Sequence, residues 1–121
     1  MRVLEGAGLY TDPGAEEVSW VEHLRVADLS VGTYSIPAGG TDVQAPHTED
    51  EIYVVRQGSA TLETDDGNAE VGPGSVVYVP ANERHRFVNI AEDFSVLVLF
   101  APAEYTRAGE KGMSGAGSEV G

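Results

Sequence analysis

Short apolar and β-branched runs, each cut off by Gly, Pro or Asp, succeed one another from Leu24 to Phe100. Leu24–Val26 and Leu29–Ile36 read as extended segments, ended by Pro37-Ala38-Gly39-Gly40. Ile52–Val55 is rich in β-branched and aromatic residues, and Ser59–Thr64 leads into Asp65-Asp66-Gly67-Asn68, a hairpin-turn signal. Ala69–Val71, Val76–Val79, Arg84–Asn89 and Phe94–Phe100 complete the series. No segment before residue 100 carries a helical period, so the pattern predicts an all-β sandwich or barrel. Residues 1–20 are broken by Gly6, Gly8, Pro13 and Gly14, with Tyr10 and Trp20 as packing residues. From Ala108 the chain is Gly, Ser, Ala and charge, so residues 1–107 are expected to form one barrel and residues 108–121 a flexible tail.

Composition narrows this picture more than it extends it. A chain of 121 residues with 41% hydrophobic content makes one domain with a core of its own. The lack of cysteine excludes disulfides, iron–sulfur clusters, thiolate zinc sites and cysteine nucleophiles. A net charge of -13, from 20 acidic and 7 basic residues, argues against nucleic acid or an anionic membrane as partner. No apolar stretch follows a basic N-terminal segment, and the longest strongly apolar run, Val96–Ala101, is too short to span a bilayer. By elimination the cytoplasm is the expected compartment.

Two stretches concentrate residues with chemistry. The first, residues 40–58, contains Gln44-Ala45-Pro46-His47-Thr48-Glu49-Asp50-Glu51 and ends on Gly58. The second, residues 74–89, contains Gly74, Pro80, Asn82, His85 and Asn89. Together they resemble the two motifs of the cupin superfamily. Glu51 and Gly58 keep the Glu-to-Gly spacing of the first motif, His47 stands in its second histidine position, and Ala45 stands in its first. Asn82 replaces the glycine of the second motif, a mild change because Asn tolerates the left-handed backbone conformation. The resemblance covers residues about 29–100 and implies a double-stranded β-helix, or jelly-roll barrel, whose motif ligands point into a pocket at one mouth.

Residues four apart on a strand share a face, so His47 and Glu51 can point the same way while His85 meets them from a later strand. Two imidazoles and a carboxylate suit one divalent ion of iron, manganese, zinc, nickel or copper. Ala45 offers no donor atom, which makes Gln44 a further candidate ligand if Pro46 turns it inward, with Asp42 and Glu49 as other options. Glu49 shares the parity of His47 and Glu51, and Tyr53 follows Glu51 by two, so both are candidates for proton transfer. Phe87 is expected to pack in the pocket and Arg56 to reach solvent. His23 lies in neither motif and reads as structural, as do the turn positions Gly58 and Asn89.

Two functions of different class follow. In the first the protein is a metal-dependent enzyme acting on a small oxygen-rich organic molecule, by dioxygenase, isomerase or lyase chemistry. In the second it is a non-catalytic module that binds a small ligand or assists a partner. The resemblance also implies a homodimer, and an open strand edge near residues 1–36 supplies a physical reason for one.

Overall fold

The computed structural model describes residues 1–43 and 46–110. Eight strands follow in order: β1 (Ser19–Val26), β2 (Leu29–Ile36), β3 (Asp50–Gln57), β4 (Ala60–Thr64), β5 (Gly67–Val71), β6 (Val76–Val79), β7 (His85–Val88) and β8 (Phe94–Ala101). A short helix, α1 (Thr106–Glu110), closes the described chain. The strands form an antiparallel sheet of five, in the order β1-β2-β8-β3-β6, facing a sheet of three, β5-β4-β7. The strand pattern predicts a sandwich or barrel, and this is the jelly-roll architecture that the cupin resemblance implies. No helix among the described residues is long and apolar enough to cross a membrane.

Strand alternation builds the core. Tyr34 and Ile36 from β2, Tyr53 and Val55 from β3, and Phe94, Val96, Val98 and Phe100 from β8 point inward to meet Leu62 of β4 and Phe87 of β7. Phe87 sits between Tyr53 and Phe94, with ring centroids 4.8 Å from each. Trp20 adds a partly buried lid, edge-on to Phe100 at 6.2 Å. Burial of this size is the main drive to the fold, at roughly 1.5–3 kcal/mol for each large apolar side chain.

The positions between these face outward, and on the five-stranded sheet they are mostly apolar, interrupted by Thr33, Ser35 and Ser95. Strand register aligns Leu24, Val31, Leu99, Ile52 and Tyr78 in one cross-strand row, and Val21, Thr33, Leu97, Val54 and Val76 in the next. No charged side chain falls in either row. The N-terminal segment crosses this face at Thr33, Ser35 and Ser95. There the Gly8 amide donates to Thr33 Oγ1, the Thr11 amide to Ser35 Oγ, and Ser95 Oγ to the Gly8 carbonyl. Arg56, expected in solvent, is exposed and donates to the carbonyl of Ala7.

Three motif positions are explained by backbone conformation. Gly58 has φ +77°, and a Cβ there would collide with the carbonyl of Asp93, so the β3–β4 turn admits only glycine. Asn82 and Asn89 also have positive φ, 69° and 57°, the conformation for which Asn stands in for glycine.

Two features depart from the sequence reading. β1 begins at Ser19, within a stretch read as mixed, because the irregularity between Glu22 and Leu24 interrupts its alternation. Residues through Glu110 form α1, with Ala108 buried, so the stretch read as a tail begins inside a helix. Beyond Glu110 that stretch lies outside the described residues. His23 donates to or accepts from Thr33 Oγ1 at 2.6 Å, in keeping with a structural role.

Candidate metal centre

At one mouth of the barrel, His47, Glu51 and His85 come together, all buried, with one potential ligand atom from each lying within 4.8 Å of the others. Glu51 is the second residue of β3, held between Phe100 of β8 and Val79 of β6. His85 opens β7, opposite Thr64 of β4. His47 comes from the loop before β3, and its carbonyl accepts from the Asn82 amide at 2.7 Å, tying the two motif loops together.

The hydrogen bonds sort the buried acids by role. Asp42 accepts from Tyr34 Oη and from the Phe87 amide. Burial first, then the charge and hydrogen bond of Asp42, push the Tyr34 hydroxyl pKa well up, so it remains a donor. Glu49 accepts from Thr48 Oγ1 and from the amides of Tyr105 and Arg107. Glu51 is just as buried, yet no amide or hydroxyl among the described residues donates to its oxygens, which face only imidazole nitrogens. His47 Nδ1 is likewise buried without a hydrogen-bond partner among the described residues.

A buried carboxylate without such donors is costly unless a cation meets it. The surrounding nitrogens are placed for one: His85 Nε2 lies 3.1 Å and His47 Nδ1 3.8 Å from Glu51 Oε1. Ligand atoms each about 2.1 Å from a shared metal stand roughly 3–4 Å apart, so these separations suit a common ion. His85 Nδ1 donates to the Glu83 carbonyl at 2.8 Å, the usual way a ligating imidazole is oriented from behind. Burial pulls the His85 pKa down, but Glu51, the Glu83 carbonyl and the charge of Asp42 outweigh it, and the net shift is upward.

The sequence expectations are met unevenly. His47, Glu51 and His85 gather as expected. Gln44 and Ala45 lie outside the described residues. Glu49 is not in the cluster: its oxygens hold the chain around Tyr105 and Arg107 instead. Proton transfer by Glu49 would require breaking those bonds. Tyr53 lies fully buried beside the cluster, edge-on to His85 at 5.8 Å. Glu104 was missed altogether. It is buried just after β8, with Oε2 2.9 Å from His47 Nε2. Nothing in its local sequence distinguishes it from the other acidic residues, because only the return of the chain across the barrel mouth brings it there.

A family model described as a cupin domain matches residues 32–101. An uncharacterized protein of Streptomyces coelicolor is 43% identical over 96 residues, covering 79% of this chain and 91% of its own length. The glucose-6-phosphate isomerase of Pyrococcus furiosus is 37% identical over 73 residues, which span 53% of this chain but only 39% of the isomerase. Among solved structures, the DMSP lyase DddQ of Ruegeria pomeroyi superposes with a TM-score of 0.66 at 21% identity, over 84% of this chain and 54% of that one. At that identity the likeness is one of fold.

Glu51→Gln preserves shape and removes the buried charge. At pH 8 the metal-free variant is expected to melt no lower than the natural protein. Zinc at a hundredfold excess over Kd should stabilise the natural protein by about 2.7 kcal/mol and leave the variant nearly unmoved. Thermal denaturation with chelator and with zinc checks both halves. The raised His85 pKa gives a second expectation. Protonated His85 stabilises the metal-free fold fully below its ordinary value of about 6.5, and that contribution fades as pH rises through the raised value. Metal uptake must displace the same proton, so zinc affinity rises over the same window. Denaturant titrations in chelator and zinc competition titrations should therefore move in opposite directions, and His85→Gln should flatten the first.

Proposed function

The chain belongs to the cupin family, and on that footing we propose that it holds one divalent metal ion through His47, Glu51 and His85 and is an enzyme acting on a small oxygen-rich molecule. The observation that carries this reading is the Glu51 carboxylate, buried without an amide or hydroxyl donor among the described residues and faced by two imidazole nitrogens. A divalent ion bound there supplies Lewis acidity toward substrate oxygens.

The protein's own residues supply access, orientation and exclusion of water. His85 lines a cavity of about 340 Å3, bounded by Pro46, Glu63, Thr64, Asp65, Arg84 and Arg86. Arg84 pairs with Asp65 at 3.4 Å and Arg86 with Glu63 at 3.2 Å, both in solvent. Exposed pairs of this kind are weak, so each guanidinium can exchange its partner for an anionic or hydroxyl-rich substrate group. Tyr53 and Phe87 form an apolar floor behind His85 and keep its ring from swinging. Glu49 serves as an anchor for the chain after β8 rather than as a base. The name of the partly matching glucose-6-phosphate isomerase favours isomerisation over dioxygenase chemistry.

Metal analysis by mass spectrometry, on protein purified without a tag or added metal, should find close to one equivalent of a divalent ion per chain. His47→Ala with His85→Ala should abolish it. A panel of hydroxy-carbonyl and carboxylate compounds, including sugar phosphates, should yield one that turns over repeatedly. Stoichiometric metal with tight binding but no turnover across the panel would favour the non-catalytic binding module instead.

The same reading includes a homodimer through the outer face of the five-stranded sheet. Val76 and Tyr78 are well exposed there, and the two cross-strand rows contain no charge. In a chain of net charge -13, this uncharged face is where a second copy can pack without bringing like charges together. Light scattering at micromolar concentration should give twice the chain mass, and Val76→Glu with Tyr78→Glu should give a folded monomer. A natural protein that stays monomeric would end this part of the reading.

A further inference from the structure

We propose that Glu104 is a positioning residue: it fixes the tautomer of His47, so that Nδ1 rather than Nε2 faces the metal. The inference rests on the metal reading above and adds a residue that neither motif contains.

Glu104 Oε2 lies 2.9 Å from His47 Nε2, with both side chains almost fully buried. A carboxylate accepts hydrogen bonds and has no proton to give, so Nε2 must carry the proton. In a neutral imidazole the lone pair then falls on Nδ1, the nitrogen left without a partner and turned toward Glu51. His85 reaches the same result by the opposite arrangement, with Nδ1 donating to the Glu83 carbonyl and Nε2 toward Glu51. Each ring is thus held from behind by an oxygen acceptor and turns its other nitrogen toward the same carboxylate. For His85 the acceptor is two residues away; for His47 it is 57 residues away.

The His47 ring is not free to turn over. It stacks on Tyr105, with centroids 5.7 Å apart at 28°, and packs against Phe100 at 4.6 Å. Glu104 is itself held at its main chain. Its amide donates to Ser30 Oγ and its carbonyl accepts from Arg25 Nη1, each at 2.8 Å. Glu49 holds the next residues by accepting from the amides of Tyr105 and Arg107. Charge points the same way. With both imidazoles neutral, the two buried carboxylates Glu51 and Glu104 balance a divalent cation, and removing one leaves a net charge buried.

The test uses zinc as the probe, with 15N-detected NMR of the histidine rings and zinc competition titrations on the natural protein, Glu104→Gln and Glu104→Ala. The natural protein should show His47 protonated at Nε2 and bound to zinc through Nδ1. Glu104→Gln retains an acceptor and should keep that signature, with zinc affinity reduced less than in Glu104→Ala. Glu104→Ala should lose the single tautomer in the metal-free state and bind zinc 10–100-fold more weakly. The proposal is overturned if zinc-bound His47 ligates through Nε2 in the natural protein, or if Glu104→Ala loses thermal stability yet binds zinc within twofold of normal. It is also overturned if Glu104→Gln binds zinc as poorly as Glu104→Ala, which would mark Glu104 as a ligand in its own right. Should Glu104→Ala fail to fold, the natural spectrum and Glu104→Gln decide. A natural protein that takes up no zinc or other divalent ion sinks the metal reading itself, a result distinct from zinc bound with unchanged affinity in Glu104→Ala.

Discussion

The placement of Glu51 governs the site. It projects inward from β3, a strand paired on both sides, and strand alternation allows it no other direction. A slip by one residue would bring Ile52 and Val54 into the core and throw Tyr53 and Val55 out. The register that seats the aromatic core therefore also forces a carboxylate below the surface. Ionised and alone, such a group is penalised by several kcal/mol. The protein surrounds it with imidazoles instead of amides, and this separates it from Asp42 and Glu49, which are equally buried but receive protein donors.

Much of the fold could be read from the chain. Leu29–Ile36 and Val76–Val79 were bounded as the structure has them, because alternation is regular there and Gly or Pro marks an end. β1 was seen only from Leu24, since an irregularity in pairing breaks its pattern. His47, Glu51 and His85 were legible as motif residues. Glu49 could not be placed from parity alone, because bonds to the amides of Tyr105 and Arg107, far along the chain, decide where its side chain lies. Glu104 was illegible in a stronger sense. Its role comes from a contact between residues far apart in the chain, and the local sequence around it carries no trace of that contact.

The five-stranded sheet has work on both sides. Inward it builds the pocket; outward it leaves two uncharged rows, one of them crossed at Thr33 by a segment pinned by Gly8 and Thr11. β8 lies between β2 and β3 and presents large apolar residues to both faces, with Val98 and Phe100 inward and Leu97 and Leu99 outward. Substitutions in β8 would therefore disturb the pocket wall and the outer face together, which makes that strand the least tolerant part of the sheet.

The bracing behind His47 has a bearing on how the protein matures. Arg25 and Ser30 come early in the chain, and Glu104, Tyr105 and Arg107 come after the last strand, yet the site depends on their closing against one another. While the chain is still emerging from the ribosome, His47, Glu51 and His85 are already made but the brace behind His47 is not. An ion that meets the nascent chain finds flexible side chains rather than a cage. On the metal reading proposed above, firm capture of an ion would wait until Glu104 has closed behind His47.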